Sequence, residues 1–103
     1  MFLVLWEFEV KQGCEEVFES LYGPDGDWAQ LFRHDLAYQR TLLLRDPVRA
    51  RTYVTGDFWE TREAYSAFLL ANSDAYLALD KRCEELILEE RKIGAFEQVS
   101  DNN

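Results

Sequence analysis

Histidine is almost absent from this sequence, cysteine and proline are scarce, and acidic residues far outnumber basic ones. The one histidine, His34, and the two cysteines, Cys14 and Cys83, are too few for a metal centre built from His and Cys at ligand spacing, and a two-histidine iron site is excluded by count. So sparse a pair of cysteines gives neither a disulfide framework nor a zinc motif, and both read as reduced thiols. Eleven Lys/Arg against twenty Asp/Glu leave a formal charge of -9 at pH 7, which repels a phosphate backbone and an anionic lipid surface. No nucleic-acid partner and no membrane partner is expected. The apolar start, Phe2 to Trp6, meets Glu7 at once and has no basic flank, so it is too short for a signal segment or a bilayer span, and a cytoplasmic location is expected. Phosphate-binding glycine loops, nucleophile elbows, internal repeats and low-complexity tracts are also missing.

What is present is apolar and aromatic. Of 103 residues, 48% are hydrophobic and 15% aromatic, enough for one packed core. The expectation is a single domain over 1–99 with a polar tail at 100–103. Phe2, Val4, Trp6, Phe8 and Val10 alternate with Leu3, Leu5, Glu7 and Glu9 as in a strand with one wholly apolar face. Val17, Phe18, Leu21 and Tyr22 then recur at helical spacing. Gly23-Pro24-Asp25-Gly26 breaks that helix, and Asp27 with Gln30 fits a capping box opening a second segment. Tyr38 to Leu44 reads as a strand with Tyr38, Arg40, Leu42 and Leu44 opposing Gln39, Thr41 and Leu43, closed by Asp46-Pro47. A short connection makes it an antiparallel neighbour of the next strand.

That next strand opens the stretch Arg51 to Tyr65, in which Arg51, Tyr53, Thr55, Asp57 and Trp59 share a face, a polar wall ending in an indole. Thr61 is a plausible N-cap and Glu63 sits where the positive helix end favours acid. The helix carries Ala64, Tyr65, Ala67, Phe68 and Ala71, breaks at Asn72-Ser73-Asp74, and resumes with Tyr76, Leu79, Cys83 and Leu86 on one stripe. A last strand runs from about Glu90 to Val99. The order is βαββαβ, an α+β ferredoxin-like arrangement in which a four-stranded antiparallel sheet carries helices on one face. Strand one is apolar on one side and half apolar on the other, so an open sheet face would expose a large apolar patch, and a two-fold homodimer packed sheet against sheet is expected.

With that order, the signature Asp57-Phe58-Trp59-Glu60-Thr61-x-Glu63-Ala64, the aromatic Phe68 and Tyr76 in the segment Ser73 to Leu79 resemble the antibiotic biosynthesis monooxygenase superfamily of dimeric α+β barrels. The later run Leu79-Asp80, Cys83-Glu84, Glu89 and Ile93-Gly94-x-Phe96 is similar to one branch of that group. The resemblance spans about residues 2 to 98. It implies a cofactor-independent monooxygenase that oxidises a small electron-rich aromatic of quinol or phenol type with molecular oxygen. Trp59 and Tyr65 match the family's catalytic tryptophan and tyrosine. Thr55, Asp57, Arg51, Phe68 and Tyr76 would line the substrate site. Thr55 stands where that branch has an asparagine, and Phe68 about where haem-degrading relatives have a histidine. No cofactor is implied.

The residues themselves admit two readings. Trp59 and Tyr65 can stack on a flat aromatic molecule, or cap the core where sheet meets helix. Arg40, Arg51 and Asp57 can orient a polar substrate group, or form a strand-to-strand ion pair. His34 can be a general base, or complement a helix C-terminus. Cys14 can be a reactive thiolate, or a small half-buried side chain, as Cys83 is on its apolar stripe. Adjacent pairs such as Glu15-Glu16 and Glu84-Glu85 point about 100° apart on a helix and are solvated faces. The alternative to the enzyme is a non-catalytic dimeric module that binds a small ligand or a partner.

Overall fold

The computed structural model describes residues 1–100, so the expected tail lies, beyond Ser100, outside the described residues. The elements follow in the order β1 (Phe2–Val10), α1 (Glu15–Tyr22), α2 (Asp27–Phe32), β2 (Tyr38–Arg45), β3 (Thr52–Trp59), α3 (Arg62–Ala71), α4 (Ser73–Cys83), a 3-10 turn (Glu84–Leu86) and β4 (Ile87–Glu97). The sheet order is β2-β3-β1-β4 with every pairing antiparallel. This is the ferredoxin-like α+β fold, with each helical crossover divided in two.

The alternation of β1 decides which face is covered. Phe2, Val4, Phe8 and Val10 are buried, and with them the β3 residues opposite, Trp59 and Tyr53. Helices α1 to α4 close this side with Phe18, Tyr22, Trp28, Phe32, Phe68 and Leu79. The rings interlock: Phe18 stacks on Tyr22 at 4.2 Å, and Trp59 meets Phe32, Tyr38 and Phe68 at 5.5, 5.5 and 5.2 Å. Edge and tilted contacts of this kind add to the burial of apolar area. The expected polar wall of β3 therefore faces the helices and is mostly buried.

α3 starts as its sequence suggests, with the Thr61 hydroxyl accepting the Ala64 N–H at 3.0 Å. Three local readings are corrected. At α2 no capping box forms: Gly26 occupies the N-cap position, Asp27 lies in the first turn, and the Gln30 amide donates to the Asp25 carbonyl. A Cβ at Gly26 would stand 2.4 Å from the Leu21 carbonyl oxygen, so the turn is too tight for any other residue. In β2 a register shift between Tyr38 and Arg40 sets Tyr38 opposite Trp59 and Thr41 opposite Asp57, which puts Tyr38 on the Thr41 side. β4 begins at Ile87, earlier than periodicity suggests, because Val10 pairs with Ile87 and the Lys11 N–H reaches the Leu86 carbonyl at 2.9 Å. Leu86 is thereby drawn off the helical stripe.

None of the described helices covers the other sheet face. Leu3, Leu5, Leu42, Val54 and Phe58 are half-buried there, Leu44 and Phe96 are exposed, and the Arg40 guanidinium lies 4.3 Å from the Phe58 ring centre. At one end Glu7 meets Arg49 at 3.3 Å and Arg91 at 3.2 Å. None of the helices among the described residues is long and apolar enough to cross a membrane.

Candidate functional site

Between the sheet and the helices lies a cavity to which every layer contributes. β1 supplies Trp6 and Phe8, β2 Thr41, β3 Thr55 and Asp57, and α2 Trp28 and Phe32. Tyr65 comes from α3, Tyr76 and Asp80 from α4, Glu90 from β4 and Tyr22 from α1. In its lining Phe8, Tyr22, Trp28 and Thr55 are buried, Asp57, Tyr65, Tyr76 and Asp80 half-buried and Glu90 exposed. The space open to the centre of a water molecule is about 40 Å³. With the molecule's own radius added, that is on the order of a single six-membered ring. Trp28 and Tyr76, edge to face at 4.9 Å, narrow it from the helix side.

Asp57 is the most distinctive member. The Thr41 hydroxyl donates to its Oδ1 at 2.7 Å, and the Tyr38 and Thr41 hydroxyl oxygens are 2.6 Å apart. Thr41 has one proton to give, so when it gives it to Asp57, Tyr38 donates to Thr41. The three form a hydrogen-bonded line from core to cavity. Burial pushes the Asp57 carboxyl up to about 6, and the Thr41 bond only partly offsets it. Burial likewise raises Tyr65 and Tyr76, with the neighbouring Asp57 acting further on Tyr65 and then Tyr65 and Asp80 on Tyr76. Among the described residues no cationic side chain lines the cavity.

Of the residues singled out from sequence, Thr55, Asp57, Tyr65 and Tyr76 come together here. Trp59 does not line the cavity: it is fully buried, its ring 5.5 Å from that of Tyr65 and its Nε1 without a hydrogen-bond partner. Phe68 is buried beside it. Arg51 stands in the β2–β3 connection at φ 56 with a buried, unpartnered Nε, away from the cavity. The alternative ion pair among Arg40, Arg51 and Asp57 does not form among the described residues, since Arg40 is on the opposite face over Phe58 and Asp57 is held by Thr41. His34 is exposed between α2 and β2, outside the cavity. Cys14 is half-buried at the α1 N-cap position, and Cys83 is buried with its thiol pushed up by burial. No group of three or more His, Cys, Asp or Glu among the described residues is placed to hold a metal ion.

Sequence reasoning missed Thr41, Asp80 and Glu90 as cavity residues. The spacing of Tyr76 and Asp80 is a helical i, i+4 pair and was available as a signal. Thr41 was not, because its position opposite Asp57 depends on the β2 bulge.

No protein-family profile matches the chain, and no curated protein matches it in sequence. Solved structures do. A single-substitution variant of SnoaB, a cofactor-independent oxygenase from Streptomyces nogalater, superposes with a TM-score of 0.79 at 21% identity, covering 96% of this chain and 93% of that one. A candidate antibiotic biosynthesis monooxygenase from Deinococcus radiodurans gives 0.78 at 13% identity, over 100% and 97%. Another from Nitrosomonas europaea gives 0.73 at 16%, over 97% and 100%. The resemblance carried by Asp57 to Ala64 thus stands at the level of architecture, and the chain has the fold of the antibiotic biosynthesis monooxygenase proteins.

Proposed function

We propose that the chain is a cofactor-independent monooxygenase acting on a small, electron-rich aromatic of phenol or quinol type. The observation that carries this reading is the buried Asp57 carboxyl in the wall of an aromatic cavity of single-ring size, with a pKa of about 6 that suits a base at neutral pH. The likeness in fold to a cofactor-independent oxygenase supports it. The substrate ring lies among Trp6, Trp28 and Tyr76, and Asp57 takes its hydroxyl proton. Oxygen adds to a hydrogen-bearing ring carbon ortho or para to that hydroxyl. One oxygen atom stays as a quinone carbonyl, and the second leaves as water with the two hydrogens lost from the ring C–H and the hydroxyl. The phenol supplies all the electrons, so no external reductant enters. Tyr65 and Thr55 hold the polar edge of the substrate, and Trp59 sets the Tyr65 ring from behind. Arg51 and Phe68 support the strand and helix that bear these groups.

Oxygen uptake with a panel of single-ring phenols and quinols tests this. Uptake should rise with pH through about 6, and Asp57→Asn should slow it by at least about tenfold while Tyr65→Phe slows it less. No uptake across the panel, or an unchanged rate in Asp57→Asn, would overturn the reading in favour of a small-ligand-binding module that uses the same cavity without turnover. We further propose that the helix-free sheet face is where two copies pair as a homodimer. The apolar side chains gathered there support it.

A further inference from the structure

The cavity has a chemical asymmetry that the proposed reaction does not need. Every side chain in its lining that carries a full charge is acidic: Asp57 from β3, Asp80 from α4 and Glu90 from β4. Most of the remainder is aromatic, including Trp6, Trp28, Tyr65 and Tyr76. Cations nearby are turned elsewhere. Arg82 pairs with Asp27 at 3.4 Å, while Lys92 and Arg62 line a separate groove with Phe2 on the far side of Tyr65. The three carboxylates are not grouped so as to hold a metal ion among the described residues. Ring faces present negative electrostatic potential, and an organic ammonium ion is the ligand that gains from ring faces and dispersed carboxylates together.

We propose that the ligand of this cavity carries a protonated or quaternary amine, seated among the aromatic rings and neutralised by Asp57, Asp80 and Glu90. This rests on the cavity being the ligand site, as the proposed function does, but not on turnover. The electrostatics agree. Burial, and after it Glu84, holds the Asp80 carboxyl above its usual range, and burial followed by Asp80 and Glu84 does the same to Glu90. A cation between them relieves that repulsion.

The test is a titration of tryptophan fluorescence with phenethylammonium, its neutral analogue 2-phenylethanol and its anionic analogue phenylacetate. Phenethylammonium should bind saturably and at least about tenfold more tightly than the alcohol, with phenylacetate weaker still. Asp80→Asn and Glu90→Gln should each weaken the ammonium by severalfold and leave the alcohol unchanged. Glu85→Gln removes the same charge from an exposed position outside the cavity and should change neither. Equal affinity for the ammonium and the alcohol, or equal weakening by Glu85→Gln, overturns the proposal. Ammonium binding without oxygen uptake leaves this inference standing and removes the proposed reaction. Turnover of neutral phenols with no ammonium preference does the reverse.

Discussion

At the scale of the residue, Asp57 joins stability to the proposed chemistry. Its carboxyl is raised from 3.8 to about 6 in the folded protein, so between those values the native state holds a proton that the unfolded chain has released. Stability therefore falls as pH rises from about 4 to about 6, and above that the ionised carboxylate costs at most about 3 kcal/mol. Asn keeps an oxygen for Thr41 and carries no charge. Asp57→Asn should thus raise the urea midpoint at about pH 8 and leave it nearly unchanged at about pH 4. A midpoint that drops at alkaline pH would mean that the carboxylate is stabilised by something other than Thr41. Strand alternation was enough to put Asp57 on one face with Tyr53 and Thr55. It could not say that this face would be roofed by aromatic helices, and the roof is what shifts the acid.

At the scale of the element, sequence was read best where local chemistry acts alone. Thr61 caps α3 through its own hydroxyl, and Tyr65 lies in the first turn with its N–H 3.3 Å from the Thr61 carbonyl oxygen. Thr61→Ala should cost about 1 kcal/mol in chemical denaturation, and Thr61→Ser should recover most of it. Because Tyr65 is held by that turn, the alanine variant should also reduce oxygen uptake, whereas a cap unconnected to the site would lower stability alone. Reading failed where a distant strand decides. Helical spacing carries the stripe of α4 on to Leu86, but Leu86 closes the 3-10 turn with its carbonyl taken by the Lys11 N–H, and Ile87 pairs with Val10 in the sheet. The Asp27 capping box was overruled by the close turn at Gly26, after which Asp27 turns to Arg82 instead. The site suffered the same way. Trp59 has the spacing of a pocket residue, yet the ring is claimed by Phe32, Tyr38 and Phe68.

At the scale of the molecule, two opposing terms bear on the proposed pairing. Each copy has a formal charge of -9 at pH 7, so two copies repel at long range. The helix-free face opposes this locally, with Arg40 lying over Phe58, Glu7 already matched by Arg49 and Arg91, and Leu3, Leu5, Leu42 and Phe58 left to be covered. Leu3 and Leu5 fold over Gly56, whose missing side chain keeps that part of the surface flat: an added Cβ would lie 3.2 Å from Leu5 and 3.4 Å from Leu3. Burial of apolar area scarcely depends on ionic strength at these concentrations, whereas the repulsion is screened within about 10 Å at 0.1 M salt. Pairing should therefore tighten as salt is added, opposite to an association held by ion pairs. Light scattering at micromolar concentration should give twice the chain mass. Leu42→Glu, which puts a charge on this face without entering the helix-covered core, should give the mass of one chain with an unchanged circular dichroism spectrum and a lower unfolding midpoint, since the native state loses the stabilisation of pairing. A monomer mass for the wild-type protein at both low and high salt would rule out the pairing and leave this apolar face to water.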